Sequence, residues 1–136
     1  MNKVLIVHTS WYQDYIKQMI DISSESLSNN FNLSFACAPG AIELAALAKH
    51  KIKSTNDKFV GVIFLGIVIR GGTSHYELVT NETFRSVGEL ALAYPNIAFI
   101  NNVICVENKE QLLERLIVNT KNNAESLRTL INEKSS

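Results

Sequence analysis

The sequence predicts an α/β fold in which one parallel sheet is covered by helices on both faces, giving three layers. Three observations predict it. Short runs rich in β-branched and aromatic residues, such as KVLIVH at 3–8 and FVGVIFLGIVI at 59–69, have the composition of strands buried on both sides. Between such runs lie longer stretches whose apolar residues recur at helical spacing. The two kinds alternate along the chain, and strands separated by helices return parallel to one another through crossovers. At 136 residues the chain suits one domain, residues 1–136, large enough to bury a proper core.

The first strand, at 3–8, ends at Thr9 and Ser10, and Trp11 and Tyr12 come next. From about Asp14, residues Ile16, Met19, Ile20 and Leu27 fall on one helical face, while Asp14, Lys17, Asp21 and Glu25 take the wet one. Asn29 and Asn30 close that helix. Leu33, Phe35 and Cys37 alternate with polar or small residues, the pattern of a second strand. Pro39 and Gly40 break it. AIELAALAKHKIK then reads as a helix of good formers whose basic last turn suits the helix dipole.

Asn56 and Asp57 make the turn into the third strand, 59–69. After Gly71 and Gly72 a helix runs through Tyr76, Val79, Phe84, Val87, Leu90 and Leu92 until Pro95 stops it. The fourth strand is IAFI at 97–100, with an irregular extension to Cys105. Asn108, with Gln111 three residues on, is a cap for a helix bearing Leu112, Leu113, Leu116 and Ile117. The polar stretch 119–123 reads as a break. A last helix at 124–133 carries Leu127, Leu130 and Ile131, and the tail 134–136 is expected to fray.

Composition narrows the function classes. Thirteen basic residues balance thirteen acidic ones, so nothing calls for nucleic acid as a partner. The opening residues have too short an apolar core for a signal peptide, and the longest apolar run is too short to span a bilayer. A cytoplasmic protein without a membrane partner is therefore expected. Cys37 and Cys105 stand far apart in no ligand spacing and are expected to be buried, reduced thiols. No metal-ligand cluster and no nucleotide fingerprint is present, so the expected cofactor is none.

The chemistry centres on FVGVIFLGIVIRGGTSHYE at 59–77. Paired glycines let a backbone approach a ligand closely, and Thr73 or Ser74 can cap the helix beyond them. A helix start with free amides is an anion site, with phosphate the usual occupant. The carboxyl ends of parallel strands are where ligands of such sheets bind. That rule gathers Trp11, the turn 38–43, the segment 70–75 and the segment 101–106 at one rim.

These residues carry a resemblance. GIVIRGGTSHYELV is similar to the signature segment of the lumazine synthases, the family catalysing the penultimate step of riboflavin synthesis. APGAIEL at 38–44 and ENKEQLLER at 107–115 match further family segments in the same order, and the similarity covers roughly residues 3–115. It implies a flavodoxin-like three-layer sandwich around a four-stranded parallel sheet. It also implies condensation of 5-amino-6-(D-ribitylamino)uracil with 3,4-dihydroxy-2-butanone 4-phosphate, in a homo-oligomer that is a pentamer with sites between neighbouring subunits. The other partners are the two small-molecule substrates.

Taken by itself, His75 could be merely the first residue of its helix; an imidazole there can also take and give a proton near neutral pH. The resemblance makes it the acid/base. Arg115 alone reads as a solvated helix charge, yet a guanidinium matches phosphate bidentately. The resemblance assigns it that role, with Gly72 and Thr73 supplying amides. Trp11 alone is a core or interface aromatic; the resemblance has it stack on the pyrimidine. Glu43 alone is an acid at a helix start; the resemblance has it bind the ribityl chain with the amides of Ala41 and Ile42. Val68, Ile69 and Asn101 complete the substrate-binding set that the resemblance implies. His8 and His50 receive no role.

Three departures from the family pattern stand out. Tyr12 comes after Trp11 where most relatives carry Asn, and Asn101 and Asn102 replace an aromatic and a glycine. LIVNTKNNAE replaces a Gly/Lys-rich loop, leaving Lys121 as its only basic residue. Loss of that loop favours a bare pentamer over a larger shell. Two other classes stay open: another phosphosugar or nucleotide enzyme on a similar sheet, and a non-catalytic flavin-binding or shell-forming relative. Mixing both substrates and monitoring a fluorescent product separates them.

Overall fold

The computed structural model describes residues 1–56 and 58–136, so the expected turn at Asp57 lies outside the described residues. Four strands, β1 (Lys3–Thr9), β2 (Asn32–Ala38), β3 (Phe59–Ile69) and β4 (Ala98–Val106), form one parallel sheet in the order β2-β1-β3-β4. Four helices connect or succeed them: α1 (Gln13–Leu27), α2 (Leu44–Ser54), α3 (His75–Ala93) and α4 (Lys109–Ser135). The predicted α/β sandwich is present.

Alternation along the strands divides the core in two. Val4 and Ile6 of β1, with Ile63, Leu65 and Ile67 of β3, pack against Ile16 and Met19 of α1 and Leu112, Leu116 and Leu127 of α4. Their neighbours Leu5, Val7, Val62 and Phe64 face Leu44 and Ala48 of α2 and Val87 and Leu90 of α3. Phe64 also stacks on Phe99 at 6.4 Å between ring centres. Helices thus cover both faces, which is why β1 and β3 are near-continuously apolar. Gly61 lets α4 approach: a Cβ there would come within 2.7 Å of Ile131 Cδ1.

Four expectations need correction. Residues 119–123 do not break a helix; α4 runs unbroken for 27 residues. A buried amide accounts for it. Asn102 is 2% exposed; its Nδ2 donates to Thr120 Oγ1 at 3.0 Å, and its Oδ1 accepts from Asn123 Nδ2 at 2.6 Å. Two of the polar residues that look like a loop, Thr120 and Asn123, therefore meet a polar partner inside the protein, with Ala124 buried beside them. β4 is regular throughout, paired with β3 from Ala98 to Val106. The tail is held too, because Lys134 Nζ donates to Pro95 O at 2.7 Å. Finally, Cys37 is exposed. It lies on the edge strand β2, whose outer part α1 leaves uncovered, as the exposure of Phe35 shows. Cys105 is half-buried, and burial pushes its thiol up to about 11.

Candidate active site

β1 and β3 lie side by side at the centre of the sheet and end on the same edge. The segments leaving these strands and β2 enclose a pocket there. After β1 the chain turns sharply through Trp11 and Tyr12. Tyr12 adopts a left-handed conformation (φ 60°, ψ 53°), and its carbonyl accepts from the amides of Tyr15 and Ile16 at 2.9 and 3.0 Å, starting α1. An aromatic residue is strained in that region, which favours glycine or asparagine. After β2, Gly40 leads into a 3₁₀ turn, Ala41–Glu43, that begins the path into α2. A Cβ on Gly40 would lie 3.1 Å from Glu43 Oε1 and 3.9 Å from Trp11 Nε1. Glycine thus leaves room for the carboxylate and the indole side by side.

The resulting cavity is about 310 Å³ and is lined by Trp11, Tyr12, Gly40, Ala41, Ile42, Glu43, Ile67, Val68, Ile69, His75 and Val79. Seven of these were expected from the sequence: Trp11, Ala41, Ile42, Glu43, Val68, Ile69 and His75. The volume lies at the lower end of the range for small-molecule sites. Trp11 is 66% exposed, so its indole face is free to stack. Gly40 was expected only as part of the turn 38–43, and Tyr12, Ile67 and Val79 were missed. The 3.6-residue period that joins His75 to Val79 could have found the last of them.

Gly71 and Gly72 form an open turn, with nothing within 4 Å of where their Cβ atoms would be. Among the described residues no glycine takes a positive φ, so openness rather than left-handed geometry is what they contribute. Thr73 Oγ1 accepts from His75 N, the first amide of α3, at 3.2 Å, while the N-cap residue Ser74 makes no side-chain capping bond. On one side of the turn, the Arg70 guanidinium pairs with Glu77 and with Glu107, and its Cζ lies 4.2 Å from the Tyr76 ring centre. That pairing holds the Glu77 carboxyl below its ordinary range. Burial pushes the Tyr76 phenol up, and the nearby Cys105 and Glu107 add to it.

Four expected residues are not among those lining the pocket: Gly72 and Thr73 of the open turn, Asn101 and Arg115. Asn101 lies mid-strand in β4, beside Phe64, and its Oδ1 accepts from Val103 N at 2.9 Å. Arg115 is on α4, which covers the opposite face of the sheet from α2 and α3, and it is exposed. Its contact is a 3.5 Å hydrogen bond to Gln111 O. The expected cap of α4 is present: Asn108 Oδ1 accepts from Gln111 N at 2.9 Å, and Gln111 Oε1 accepts from Glu107 N at 2.8 Å. Lys121 lines a groove with Glu25 and Glu125 between α1 and α4, away from the pocket.

A larger cavity of about 660 Å³, lined by Ile52, Phe59, Tyr94, Ile97 and Lys58 among others, opens at the amino ends of β3 and β4. Ligands of parallel sheets bind at the other end. Among the described residues no group of three or more His, Cys, Asp or Glu is placed to hold a metal. None of the described helices is long and apolar enough to cross a membrane.

Comparison with known proteins supplies the remaining finding. A family model for 6,7-dimethyl-8-ribityllumazine synthase matches residues 1–132. A 6,7-dimethyl-8-ribityllumazine synthase of Neisseria gonorrhoeae (strain NCCP11945) is 34% identical over 118 residues, covering 84% of this chain and 73% of that protein. The protein of the same name from Erythrobacter litoralis (strain HTCC2594) is also 34% identical, over 85% of this chain and 80% of its own.

Proposed function

The chain belongs to the 6,7-dimethyl-8-ribityllumazine synthase family, and we propose that its pocket is where the two substrates of that reaction are joined. The protein is a transferase of riboflavin biosynthesis. It condenses 5-amino-6-(D-ribitylamino)uracil with 3,4-dihydroxy-2-butanone 4-phosphate to give 6,7-dimethyl-8-ribityllumazine, phosphate and water. The observation that carries the site assignment is the convergence of Trp11, the turn Ala41–Glu43, Val68–Ile69 and His75 on one cavity.

The division of labour comes from the chemistry of each side chain. Trp11 stacks on the flat pyrimidine, with Val68 and Ile69 as the opposite apolar wall. Glu43 accepts hydrogen bonds from the ribityl hydroxyls, helped by the amides of Ala41 and Ile42. Gly72 and Thr73 offer amides to the phosphate at the start of α3. The uracil amine attacks the ketone carbonyl, and loss of water gives a Schiff base. Phosphate then leaves, and ring closure expels a second water. His75 stands where it can relay the protons these steps move. Both reactants are intrinsically reactive, so holding them together contributes most and proton transfer less.

Asn101 and Arg115 complete the site from a neighbouring copy. In a closed ring each chain's β4 and α4 would serve the pocket of the next. Exposed Leu113, Ile117 and Val118 on α4 and exposed Leu78, Phe84 and Leu92 on α3 support such an assembly, since apolar faces of this kind are normally covered. The assembly proposed is a pentamer, and the whole chain is one domain. The test is direct: purified protein mixed with both substrates yields a fluorescent product. Absence of that product overturns the assignment.

A further inference from the structure

Arg70 is the last residue before the open glycine turn, and it is held from four directions. Its backbone N donates to Val106 O at 2.9 Å. Its Nε donates to Glu107 and one Nη donates to Glu77, while its Cζ sits over the Tyr76 ring. These partners lie on three segments: the end of β4, the turn into α4 and the first turn of α3. Past Arg70, nothing lies within 4 Å of where Cβ atoms of Gly71 and Gly72 would be, and beyond them Thr73 Oγ1 accepts from His75 N.

Charge gives the cluster its consequence. Glu77 lies two residues beyond His75, and Glu107 stands across the turn at the end of β4. Unpaired, both carboxylates would oppose an anion seated on the amides of Gly72 and Thr73. With Nε and one Nη already engaged by carboxylates, the guanidinium is poorly placed to serve as a phosphate ligand itself. We infer that Arg70 is a positioning residue that screens Glu77 and Glu107 from the phosphate group of the substrate and fixes the near end of the turn that receives it. The inference rests on the reading of that turn as the phosphate seat. The lowered pKa of Glu77 agrees with the pairing, its first cause being the Arg70 hydrogen bond.

The test uses the full-length assembled protein and the variants Arg70→Met, Arg70→Lys and Arg70→Met with Glu77→Gln. Arg70→Met is expected to raise the KM for the phosphorylated ketone about fivefold, the effect of exposing two solvent-screened charges near an anion. The KM for the uracil amine should stay within twofold of wild type. Adding Glu77→Gln should recover part of the loss, and Arg70→Lys should lose less. The ratio of variant to wild-type KM should also shrink toward one as salt rises to about 1 M, where the screening length is roughly 3 Å. A residue that only props up the fold would lower kcat or stability without this split, rescue or salt response, and that outcome overturns the inference. Binding of inorganic phosphate, measured by ³¹P NMR, provides an arm that needs no turnover. If wild type makes no lumazine the functional reading fails, yet weaker phosphate binding by Arg70→Met, recovered by Glu77→Gln, still supports the screening role. Equal phosphate affinity in all four proteins refutes it.

Discussion

The pocket beside β1 and β3 and the edge formed by β4 and α4 differ in how far one chain finishes them. Around the pocket, four separate segments supply an aromatic face, a carboxylate, an apolar wall and an imidazole within about 310 Å³. Along the β4 and α4 edge, Arg115 stands exposed with a 3.5 Å hydrogen bond to Gln111 O, and Leu113, Ile117 and Val118 are uncovered around it. One region is organised inward and the other outward. The difference is what the proposed sharing of the site between two copies would produce. On that reading the proposed phosphate cation, Arg115, is separable by mutation from the proposed acid/base, His75.

That separation gives the largest expected effect. If Arg115 grips the phosphate bidentately as proposed, Arg115→Ala should raise the KM for the phosphorylated ketone about a hundredfold, with kcat changed far less. Steady-state kinetics in which both parameters stay put would end the assignment. His75→Ala should act on the other axis, lowering kcat about ten- to a hundredfold while both KM values change little. The two losses can be joined in one ring. If His75 and Arg115 act across a subunit boundary, random mixed assemblies of the two impaired variants, assayed at ketone concentrations well below the KM of Arg115→Ala, contain intact sites at about a quarter of their boundaries. Co-refolding the variants should therefore restore roughly that share of wild-type activity. No recovery would place both residues in one chain's site.

Much of this was legible in the sequence, and the remainder was hidden for identifiable reasons. The strands could be read because a sheet covered on both faces demands unbroken apolar runs, as at Val62, Ile63, Phe64 and Leu65. The pocket could be read because parallel strands deliver their outgoing loops to one edge. The helix through 119–123 could not be read, since Asn119, Asn122 and Asn123 have the composition of a loop. Only the burial of Asn102 on a distant strand shows why they stay helical. The exposure of Cys37 depends on β2 being at the edge, a fact of strand order rather than of local pattern. Whether Arg115 faces its own pocket is likewise decided by tertiary packing.

The Asn102 clasp offers a smaller effect that probes how firmly the outward edge is held. Asn102→Ala deletes an amide with one buried and one partly buried hydrogen bond and leaves Thr120 without the Asn102 amide. It should cost about 2–3 kcal/mol in denaturant unfolding. Because α4 carries Arg115, the same variant should also raise the KM for the phosphorylated ketone more than that for the amine. A loss of stability with both KM values unchanged would mean that the clasp supports the helix but does not aim the arginine.

The smallest effect concerns the strain beside the pocket. Tyr12 holds φ 60° and ψ 53°, a conformation that asparagine and glycine accept more readily than an aromatic residue. Tyr12→Asn should therefore stabilise the fold by about 0.5–1 kcal/mol. The ring it removes lines the cavity next to Trp11, so the KM for the uracil amine should rise two- to fivefold, about 0.5–1 kcal/mol of lost contact. The two changes have opposite sign, and that opposition is what identifies the residue. A gain in stability with no change in KM would make Tyr12 a tolerated misfit at the start of α1. A gain in stability together with a weakened amine site means that the strained backbone persists because it holds a second aromatic wall against the substrate.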